Sequence, residues 1–452
     1  MPSTLDPENL RAIFKAYDIR GLVGEQLDAL LAERIGGAFV SVIGAPTVVV
    51  GYDMRPSSPE LAQAFARGAA AAGADVVMIG LASTDQLYFA SGHLGQAGVM
   101  FTASHNPAQY NGIKMCRAGA APIGLDTGLA DIRDAVAAEH TGAVTGTIST
   151  RDVLQEYAAH LRSLAPLAGR PLKVVVDAGN GMAGLTAPAV FEQLPSIAVT
   201  ELYFELDGTF PNHEANPIEA ENLVDLQKRV LVEGADIGLA FDGDADRCFL
   251  VDERGEVVSP STLTGLIAAR ELAREPGATI IHNLITSRSV PEVVTELGGT
   301  PVRTRVGHSY IKATMAETDA IFGGEHSGHF YFRDFWRADS GMLAALHALA
   351  ALSETERPLS ELLADYVRFA ASGEINSTVA DQQAVLRRLE EEWGGRADVE
   401  IDHLDGLSVA HPDWWFNVRA SNTEPLLRLN AEGKDETTMA GVRDAVLSEI
   451  RS

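Results

Sequence analysis

The protein has 452 residues, of which 46% are hydrophobic and 21% are charged. At about 100 to 200 residues per domain, this length predicts three or four domains, and the composition excludes wholesale disorder. Its 62 acidic and 35 basic residues give a net charge of −27. This charge argues against nucleic acid and anionic lipid as partners. An anionic ligand would need a local basic cluster.

The cysteine content, the first residues of the chain and its longest uncharged run indicate the cellular compartment. Cys116 and Cys248 are too few for a disulfide framework. Residues 1–11 contain no apolar stretch of the secretory type. The long uncharged run 35–52 contains four glycines and Pro46, which suits a helix end and a turn better than a membrane span. We expect a cytoplasmic protein without a membrane partner.

A strand, helix, strand unit occurs three times along the chain. Strand-like β-branched runs cover 47–53, 173–177 and 279–283. Helix-period stretches follow at 59–72, 182–194 and 289–297, and second strands at 74–80, 197–203 and 300–306. This order predicts βαβ units on mostly parallel sheets. The alternative explanation of the repeat is the general alternation of strands and helices in α/β proteins.

Each unit continues into a short apolar strand and then a loop of small and polar residues. The three loops are 102–107 (TASHNP), 242–247 (DGDADR) and 324–329 (GEHSGH). Ligands of open α/β sheets bind beyond the carboxyl ends of the strands. The three loops could therefore converge on one cleft.

The residues after about 372 have a different character, with an acid-rich helical stretch at 381–393 and short strands. We therefore predict an α/β protein: three similar α/β domains with mixed, mostly parallel sheets, and a smaller α+β C-terminal domain, around a central cleft. The predicted domains are 1–150, 151–255, 256–370 and 371–452, and the loops 102–107, 242–247 and 324–329 of the first three are called the serine, metal and sugar loops. The family resemblance described below implies that 1–150 carries a phosphoserine, that 151–255 binds a metal, that 256–370 binds a sugar and that 371–452 is a phosphate-binding cap.

Asp242, Asp244 and Asp246 alternate along the chain where it leaves a strand. Their carboxylates could converge on a hard cation, and oxygen ligands favour Mg²⁺ over zinc. An EF-hand loop is disfavoured, because it needs glycine at its sixth position, where this chain has Arg247. A solvated acidic turn is the remaining alternative.

Ser104 follows apolar and small residues and precedes a backbone break at Asn106-Pro107. Such a turn can hold a hydroxyl outward, although an isolated serine there is more often a capping residue. A phosphorylated Ser104 would give the cation a further oxygen ligand. Lys114, on the next strand, could move a proton or hold a phosphate, or be an ordinary exposed lysine.

Two further groups suit a sugar phosphate. Glu325 and Ser327 lie in a glycine-rich loop and could accept from neighbouring sugar hydroxyls, or Glu325 could be a satisfied turn carboxylate. A guanidinium with hydroxyl and amide donors suits a phosphate dianion, as offered by Arg419, Ser421, Asn422 and Thr423. The other cationic candidates are Arg20, Arg247, Arg305 and His308.

Five motifs together resemble the α-D-phosphohexomutase superfamily, and within it the phosphomannomutase/phosphoglucomutase group. They are YDIRG at 17–21, TASHNP, DGDADR, GEHSGH and RASNTEP at 419–425, in the family's order over nearly the whole chain. The resemblance implies a phosphomannomutase of the isomerase class, which transfers phosphate between the 1- and 6-oxygens through a hexose 1,6-bisphosphate.

The resemblance also implies residue roles. Ser104 would carry the phosphate, and Asp242, Asp244 and Asp246 would hold Mg²⁺ beside it. Arg247 would contact the phosphoryl group, and Lys114 and His329 would be the acid and base. Glu325 and Ser327 would bind the 3- and 4-hydroxyls. The non-reacting phosphate would lie against Arg419, Ser421, Asn422 and Thr423, with Tyr17, Arg20 and His308 as supporting contacts.

Several alternatives stay open at this stage. The group usually has a lysine in the loop that here reads Asn283-Leu284-Ile285-Thr286-Ser287-Arg288, so Arg288 or Arg305 is the candidate replacement. Other substrates are glucose or glucosamine phosphates, although His326 argues against an amino sugar. Other functions are a sugar-phosphate binding protein without turnover, or a phosphatase. We expect a monomer or weak homodimer.

Overall fold

The computed structural model describes residues 4–137, 145–420 and 426–452. These residues form four sheets with flanking helices. In the first region the helices are α1 (Pro7–Ile13), α2 (Ala29–Ile43), α3 (Ser58–Ala71), α4 (Thr84–Leu94) and α5 (Leu129–Ala135). The strands are β1 (Ile19–Leu22), β2 (Thr47–Tyr52), β3 (Asp75–Leu81), β4 (Ala97–Phe101), β5 (Tyr110–Arg117), β6 (Ala121–Pro122) and β7 (Ile148–Thr150).

The second and third regions are smaller versions of the first. The second contains helices α6 (Leu154–Leu164), α7 (Ala183–Phe191) and α8 (Val224–Glu233). Its strands are β8 (Leu172–Asp177), β9 (Ile197–Leu202), β10 (Ile237–Phe241), β11 (Cys248–Asp252) and β12 (Val257–Val258). The third contains helices α9 (Pro260–Arg274), α10 (Ser289–Glu296), α11 (His308–Thr318), α12 (Gly341–Ser353) and α13 (Leu359–Leu363). Its strands are β13 (Thr279–Asn283), β14 (Thr300–Thr304), β15 (Phe322–Gly324), β16 (Phe330–Phe332) and β17 (Ala338–Asp339).

The fourth region has a different, antiparallel plan. Its strands are β18 (Ala370–Thr378), β19 (Glu400–Asp402), β20 (Leu407–His411), β21 (Trp414–Ala420) and β22 (Leu426–Gly433), and its helices are α14 (Gln382–Trp393) and α15 (Glu436–Ile450). The sheet order is β18-β22-β21-β20-β19, with every neighbouring pair antiparallel. The predicted fold class, three similar α/β domains and a smaller α+β domain, is confirmed.

One strand plan is repeated in the first three sheets. The central strands β2, β8 and β13 each lie parallel to two neighbours, and the third strand of each unit turns back into an antiparallel partner. The turns β4–β5, β10–β11 and β15–β16 are the serine, metal and sugar loops of the sequence analysis. The predicted strand, helix, strand order is correct in each unit, with ends that differ by a few residues.

Local chemistry explains where these elements begin and end. Asp28 accepts a hydrogen bond from Leu31 N at 2.8 Å and caps α2, and Asp435 caps α15 in the same way. Gly44 ends α2 with φ of 69°, a left-handed conformation that glycine adopts without steric cost. Strand β10, by contrast, is buried along its whole length, as expected for a strand covered on both faces.

One apolar cluster runs through the first three regions, from Val49 to Leu363, and the first region also has a large cluster of its own from Leu10 to Val136. The fourth region has a core of its own, built around Leu389, Phe416 and Val446. The fourth region therefore packs as a separate unit against the shared body. Within the residues described, no helix is both long and apolar enough to span a membrane.

Candidate active site

The three loops converge on a cleft of about 760 Å³, at the carboxyl ends of the parallel strands. The cleft is lined by residues of all four regions. The sequence-predicted residues that line it are Tyr17, Arg20, Ser104, Lys114, Asp246, Arg247, Glu325, Ser327 and His329. The repeat in the sequence therefore corresponds to one shared site.

Ser104 lies at the point where the serine loop meets the metal loop. Its side chain is buried, and its Oγ donates to Asp242 Oδ2 at 2.8 Å. Its φ of 50° is a left-handed conformation, which costs a non-glycine residue about 1 to 3 kcal/mol and persists only where the surroundings impose it. Gly243 lies against the Ser104 carbonyl oxygen and leaves no room for a Cβ. The two loops thus approach closely enough for serine and carboxylate to share one site.

Arg55 imposes that conformation, and the sequence analysis missed it. Its fully buried guanidinium donates to the carbonyl oxygens of Ser104 at 2.9 Å and Asn106 at 2.6 Å, and it also reaches the carbonyls of Pro107 and Tyr110. Asp53 Oδ2 pairs with Arg55 Nε at 3.2 Å. The signal was present, because an acidic and a basic residue separated by one residue directly follow strand β2.

Asp242, Asp244 and Asp246 converge as the alternation predicted. Ligand oxygens from the three carboxylates lie within 4.8 Å of one another, and all three side chains are buried. Lys114 Nζ donates to Asp244 Oδ2 at 2.6 Å and to Asp246 Oδ2 at 2.5 Å. Asp244 Oδ1 is buried without a hydrogen-bond partner among the described residues. An all-oxygen set with an unused buried acceptor fits a hard cation such as Mg²⁺.

The electrostatics of this cluster follow from burial and crowding. Burial, with repulsion from Asp246 and Asp244, raises the pKa of Asp242 to about 7. Burial lowers the pKa of the Lys114 ammonium, but Asp244 and Asp246 outweigh it and the net shift is upward. Lys114 therefore remains protonated and places a positive charge beside the aspartates.

Arg247 and His329 connect the metal loop to the sugar loop. The two residues form an antiparallel β-bridge, and Cys248 N donates to Gly328 O at 3.2 Å. Arg247 Nη2 lies 3.4 Å from Ser104 Oγ, and His329 Nε2 lies 3.5 Å from Asp246 Oδ1. Burial lowers the pKa of His329, but Asp246 outweighs it and the net shift is upward. Arg247 therefore lies beside the Ser104 hydroxyl, and His329 lies beside the aspartate cluster.

The sugar loop holds Glu325 in a defined orientation. Glu325 Oε2 accepts from Tyr331 Oη at 2.6 Å, and Oε1 accepts from Gly307 N at 3.2 Å and Asn283 Nδ2 at 3.3 Å. Ser327 lies two residues on and contacts His329 Nδ1 at 2.9 Å. Three hydrogen-bond donors fix the Glu325 carboxylate. Its position relative to Ser327 is therefore set before a ligand binds.

The outer part of the site is assembled from the first and fourth regions. Arg20 Nη1 donates to Asn106 Oδ1 at 2.5 Å, and burial raises the pKa of Tyr17 to about 12. Arg419 pairs with Glu374 at 2.8 Å. Arg428, which the sequence analysis did not single out, also lines the cleft. The predicted residues Ser421, Asn422 and Thr423 lie outside the described residues, as does the side chain of His308.

Neither arginine suggested as a replacement for the missing lysine lines the cleft. Ile285, in the loop where the group usually has the lysine, is buried and lines a second cavity of about 480 Å³ between the second, third and fourth regions. Arg288 donates to His411 O at 2.8 Å and thereby joins α10 to the fourth sheet. Arg305 stacks on the Tyr310 ring at 5.0 Å. The positive charges around Ser104 come instead from Arg20, Arg55, Lys114 and Arg247.

Comparison with known proteins accounts for this arrangement. Sequence models for phosphoglucomutase/phosphomannomutase match in order: α/β/α domain I at 11–142, domain II at 155–255, domain III at 260–369 and the C-terminal domain at 374–449. The chain belongs to the phosphoglucomutase/phosphomannomutase family. Membership in this family, part of the α-D-phosphohexomutases, agrees with the resemblance of the five motifs and makes the protein an enzyme of the phosphohexomutase type.

Relatives match over nearly their full length. A phosphomannomutase of Salmonella typhimurium is 42% identical and covers 96% of this chain and 97% of its own length. A phosphomannomutase of Vibrio cholerae is 40% identical, with 97% of both chains covered. The crystal structure of a phosphoglucomutase/phosphomannomutase family protein of Burkholderia thailandensis superimposes with a TM-score of 0.89 at 35% identity, covering 100% of this chain and 98% of the other.

Proposed function

We propose that this protein is a phosphomannomutase, which interconverts mannose 6-phosphate and mannose 1-phosphate through a phosphoserine at position 104. The observation that carries the proposal is the buried Ser104 hydroxyl, 2.8 Å from Asp242 in a cleft that also contains Glu325 and Ser327. Phosphomannomutases that are 42% identical over nearly the whole chain support mannose phosphate as substrate.

In the proposed first transfer, the bond between Ser104 Oγ and phosphorus breaks and a bond from phosphorus to the free O1 or O6 of the hexose forms. The proton of that hydroxyl passes to a base, for which His329 is the candidate, and the Lys114 ammonium is the candidate acid that protonates the released Ser104 Oγ. The product is a hexose 1,6-bisphosphate. In the second transfer, the turned bisphosphate returns its other phosphoryl group to Ser104 Oγ, and the freed sugar oxygen takes up a proton.

The chain's own residues would hold the reacting groups in place. Arg247 would stabilise the phosphoryl oxygens, and Glu325 and Ser327 would fix the sugar ring through its hydroxyls. Asp242, Asp244 and Asp246 would hold Mg²⁺, with an oxygen of the Ser104 phosphate completing the set. When bound, Mg²⁺ would supply positive charge beside the transferring phosphoryl group.

The cap of the fourth region would bind the phosphate that does not react. Arg419, Ser421, Asn422 and Thr423 are the proposed contacts, with Tyr17, Arg20 and His308 in support. The same contacts would be made in both orientations of the sugar. Their binding energy would therefore be available for either of the two transfers. We also propose that the protein is cytoplasmic, that it carries phosphate, and that it acts as a monomer or weak homodimer. The buried free thiols of Cys116 and Cys248 suit a reducing compartment.

The testing experiment follows mannose 6-phosphate by phosphorus NMR with purified protein, Mg²⁺ and a trace of hexose bisphosphate. We expect mannose 1-phosphate to appear, phosphate on Ser104 by mass spectrometry, and a loss of at least about 10³-fold in rate for Ser104→Ala. Ser163→Ala, an exposed serine on α6, is the control and should keep full activity.

Four outcomes would contradict parts of the proposal. Binding without interconversion would indicate a sugar-phosphate binding protein, and free phosphate that forms faster than the isomer would indicate a phosphatase. Near-normal turnover of Ser104→Ala would remove the nucleophile. The same assay with glucose and glucosamine phosphates compares the substrates, and a higher kcat/KM for either would replace mannose as the preferred sugar.

A further inference from the structure

Tyr331 is a buried tyrosine of the third region that the sequence analysis did not single out. It lies in the middle of β16, where it pairs with Gly323 of β15 on one side and Asp339 of β17 on the other. Its ring belongs to an apolar cluster with Ile281 of β13 and Ile311 of α11. The side chain is fully buried. A buried tyrosine hydroxyl needs a hydrogen-bond partner, and its identity indicates what the residue does.

The partner of the Tyr331 hydroxyl is a carboxylate of the candidate site. Tyr331 Oη donates to Glu325 Oε2 at 2.6 Å, the short distance typical of a hydrogen bond to a charged acceptor. Burial and the negative charge of Glu325 raise the pKa of Tyr331, so the phenol keeps its proton at neutral pH and remains a donor. Because strand pairing and ring packing hold Tyr331 in place, its hydroxyl can impose a direction on the carboxylate.

The other oxygen of Glu325 is held by two weaker donors. Oε1 accepts from Gly307 N at 3.2 Å and from Asn283 Nδ2 at 3.3 Å. The Asn283 amide is itself fixed, because Thr286 Oγ1 donates to its Oδ1 at 2.8 Å. A carboxylate has about four acceptor positions, and the donors among the described residues engage three of them. Glu325 lines the cleft, so the fourth position, on Oε2, is the one available to a ligand hydroxyl.

Tyr331 and a ligand hydroxyl would therefore share the same oxygen of Glu325. The terminal torsion of a glutamate side chain has only broad preferences of its own, so its direction depends on the hydrogen-bond donors around it. Without the Tyr331 hydroxyl, Oε2 loses its short bond and only the longer bonds to Oε1 remain. The direction of the free acceptor position is then no longer fixed. A binding group whose supporting contacts are loose loses part of its affinity and selectivity.

We propose that Tyr331 is a positioning residue, which orients the Glu325 carboxylate toward a single hydroxyl of the sugar ring, the 3- or the 4-hydroxyl. Ser327 is left to bind the other of the two. The inference rests on the proposed function, since it takes a hexose phosphate as the ligand. Tyr331 acts through Glu325, because its own side chain is fully buried and does not line the cleft.

The test removes the tyrosine hydroxyl and the sugar hydroxyls in turn. Calorimetry measures how the full-length protein binds mannose 6-phosphate, its 3-deoxy and 4-deoxy analogues, and inorganic phosphate. Tyr331→Phe should weaken binding of mannose 6-phosphate about tenfold. For the analogue that lacks the hydroxyl held by Glu325, the same substitution should cost less than about twofold, because no hydroxyl is left to be oriented. Binding of inorganic phosphate should also stay within about twofold. The same pattern is expected in kcat/KM for the three sugars.

Tyr157→Phe is the matched control. Tyr157 is also fully buried, and its hydroxyl donates to a carboxylate, Asp85 Oδ2, at 2.7 Å. The control therefore removes an equivalent hydrogen bond away from the sugar loop. It should lower the thermal unfolding midpoint but leave the affinity for every ligand within about twofold. Circular dichroism establishes that both variants are folded. Glucose 6-phosphate, which differs from mannose 6-phosphate only at carbon 2, serves as a second parent sugar.

The inference is overturned if folded Tyr331→Phe binds mannose 6-phosphate as tightly as wild type. It is also overturned if the variant loses the same factor for the parent sugar and for both deoxy analogues, which would indicate a structural role alone. Failure of the proposed function has a different signature. Wild-type protein that binds the sugar phosphate without isomerising it would refute the mutase, while a hydroxyl-dependent loss in Tyr331→Phe would still support the positioning role. Wild-type protein that binds neither parent sugar would refute both.

Discussion

At the scale of single residues, Thr84 determines how Asp244 presents its oxygens. Thr84 Oγ1 donates to Asp244 Oδ2 at 2.6 Å, and Thr84 N donates to the Asp244 carbonyl oxygen at 3.0 Å. Together with Lys114, these bonds occupy Oδ2 and leave Oδ1 free to face a cation. Partners that orient metal ligands affect affinity nearly as much as the ligands themselves. Thr84 is therefore a positioning residue for the proposed metal site.

Thr84→Val should weaken binding of Mn²⁺, a spectroscopic substitute for Mg²⁺, by about tenfold, because the rotation of the Asp244 carboxylate is no longer fixed. Direct titration by electron paramagnetic resonance measures this independently of catalysis. Thr84→Ser keeps the hydroxyl and should bind Mn²⁺ within about threefold of wild type. Unchanged affinity in the valine variant would show that Lys114 alone is sufficient to orient Asp244.

At the scale of elements, helices α2 and α3 cross where both carry glycine. A Cβ at Gly36 would overlap with the carbonyl oxygen of Phe65, and a Cβ at Gly68 would overlap with that of Glu33. The close crossing positions the start of α3, where Ser58 Oγ donates to Asp53 at 2.6 Å. Asp53 in turn pairs with Arg55, which fixes the serine loop. The packing of α2 against α3 therefore helps to fix the position of the serine loop through the short segment 53–58.

Gly68→Ala should destabilise the protein by about 1 to 3 kcal/mol, because the added methyl group forces backbone against backbone at the crossing. The change appears as a lower midpoint of urea unfolding by far-UV circular dichroism. Gly441→Ala is the matched control, since nothing lies within 4 Å of a Cβ at that position on α15. It should raise helix stability by about 0.5 to 1 kcal/mol. Equal midpoints for the two variants would contradict the packing argument.

At the scale of the whole molecule, Asp85 ties the first three regions together. It accepts from Tyr157 Oη of α6 at 2.7 Å and from Ser340 Oγ before α12 at 2.6 Å, and Ser83 also donates to it. Burial raises the pKa of Asp85 to about 6, against the lowering effect of these hydroxyls and with a small contribution from Asp246. The junction between the first three regions therefore contains a carboxyl group, that of Asp85, which stays protonated to a higher pH than usual.

The folded pKa of Asp85 lies above its unfolded value near 3.8, so its contribution to stability is present at low pH and is lost as pH rises toward 6. The whole shift corresponds to about 3 kcal/mol, of which about 2 kcal/mol is lost between pH 4 and pH 7. We therefore expect the unfolding midpoint of wild type, relative to that of Asp85→Asn, to fall over this range. Urea titrations of both proteins at several pH values measure the difference. A difference that is constant or rises with pH would contradict the shift.

Much of the site was predictable because it is local in sequence. Ser104, the aspartates of 242–246 and Glu325 each follow a buried strand within a few residues, so the strand pattern indicates both their position and their orientation. The remaining site residues depend on contacts that no local pattern encodes. Arg55 contacts Ser104 across 49 positions and Thr84 contacts Asp244 across 160.

The amino-acid sequence by itself determined the fold class, the threefold repeat and the residues at the strand ends, because hydrophobic periodicity and loop chemistry act over short stretches of chain. Only the tertiary structure decided that Arg288 binds the fourth sheet rather than the cleft, that Arg428 lines the cleft, and that Asp85 joins three regions. Such choices depend on which surfaces meet when the regions pack. That geometry is set by the summed shape of the whole core and not by any one segment.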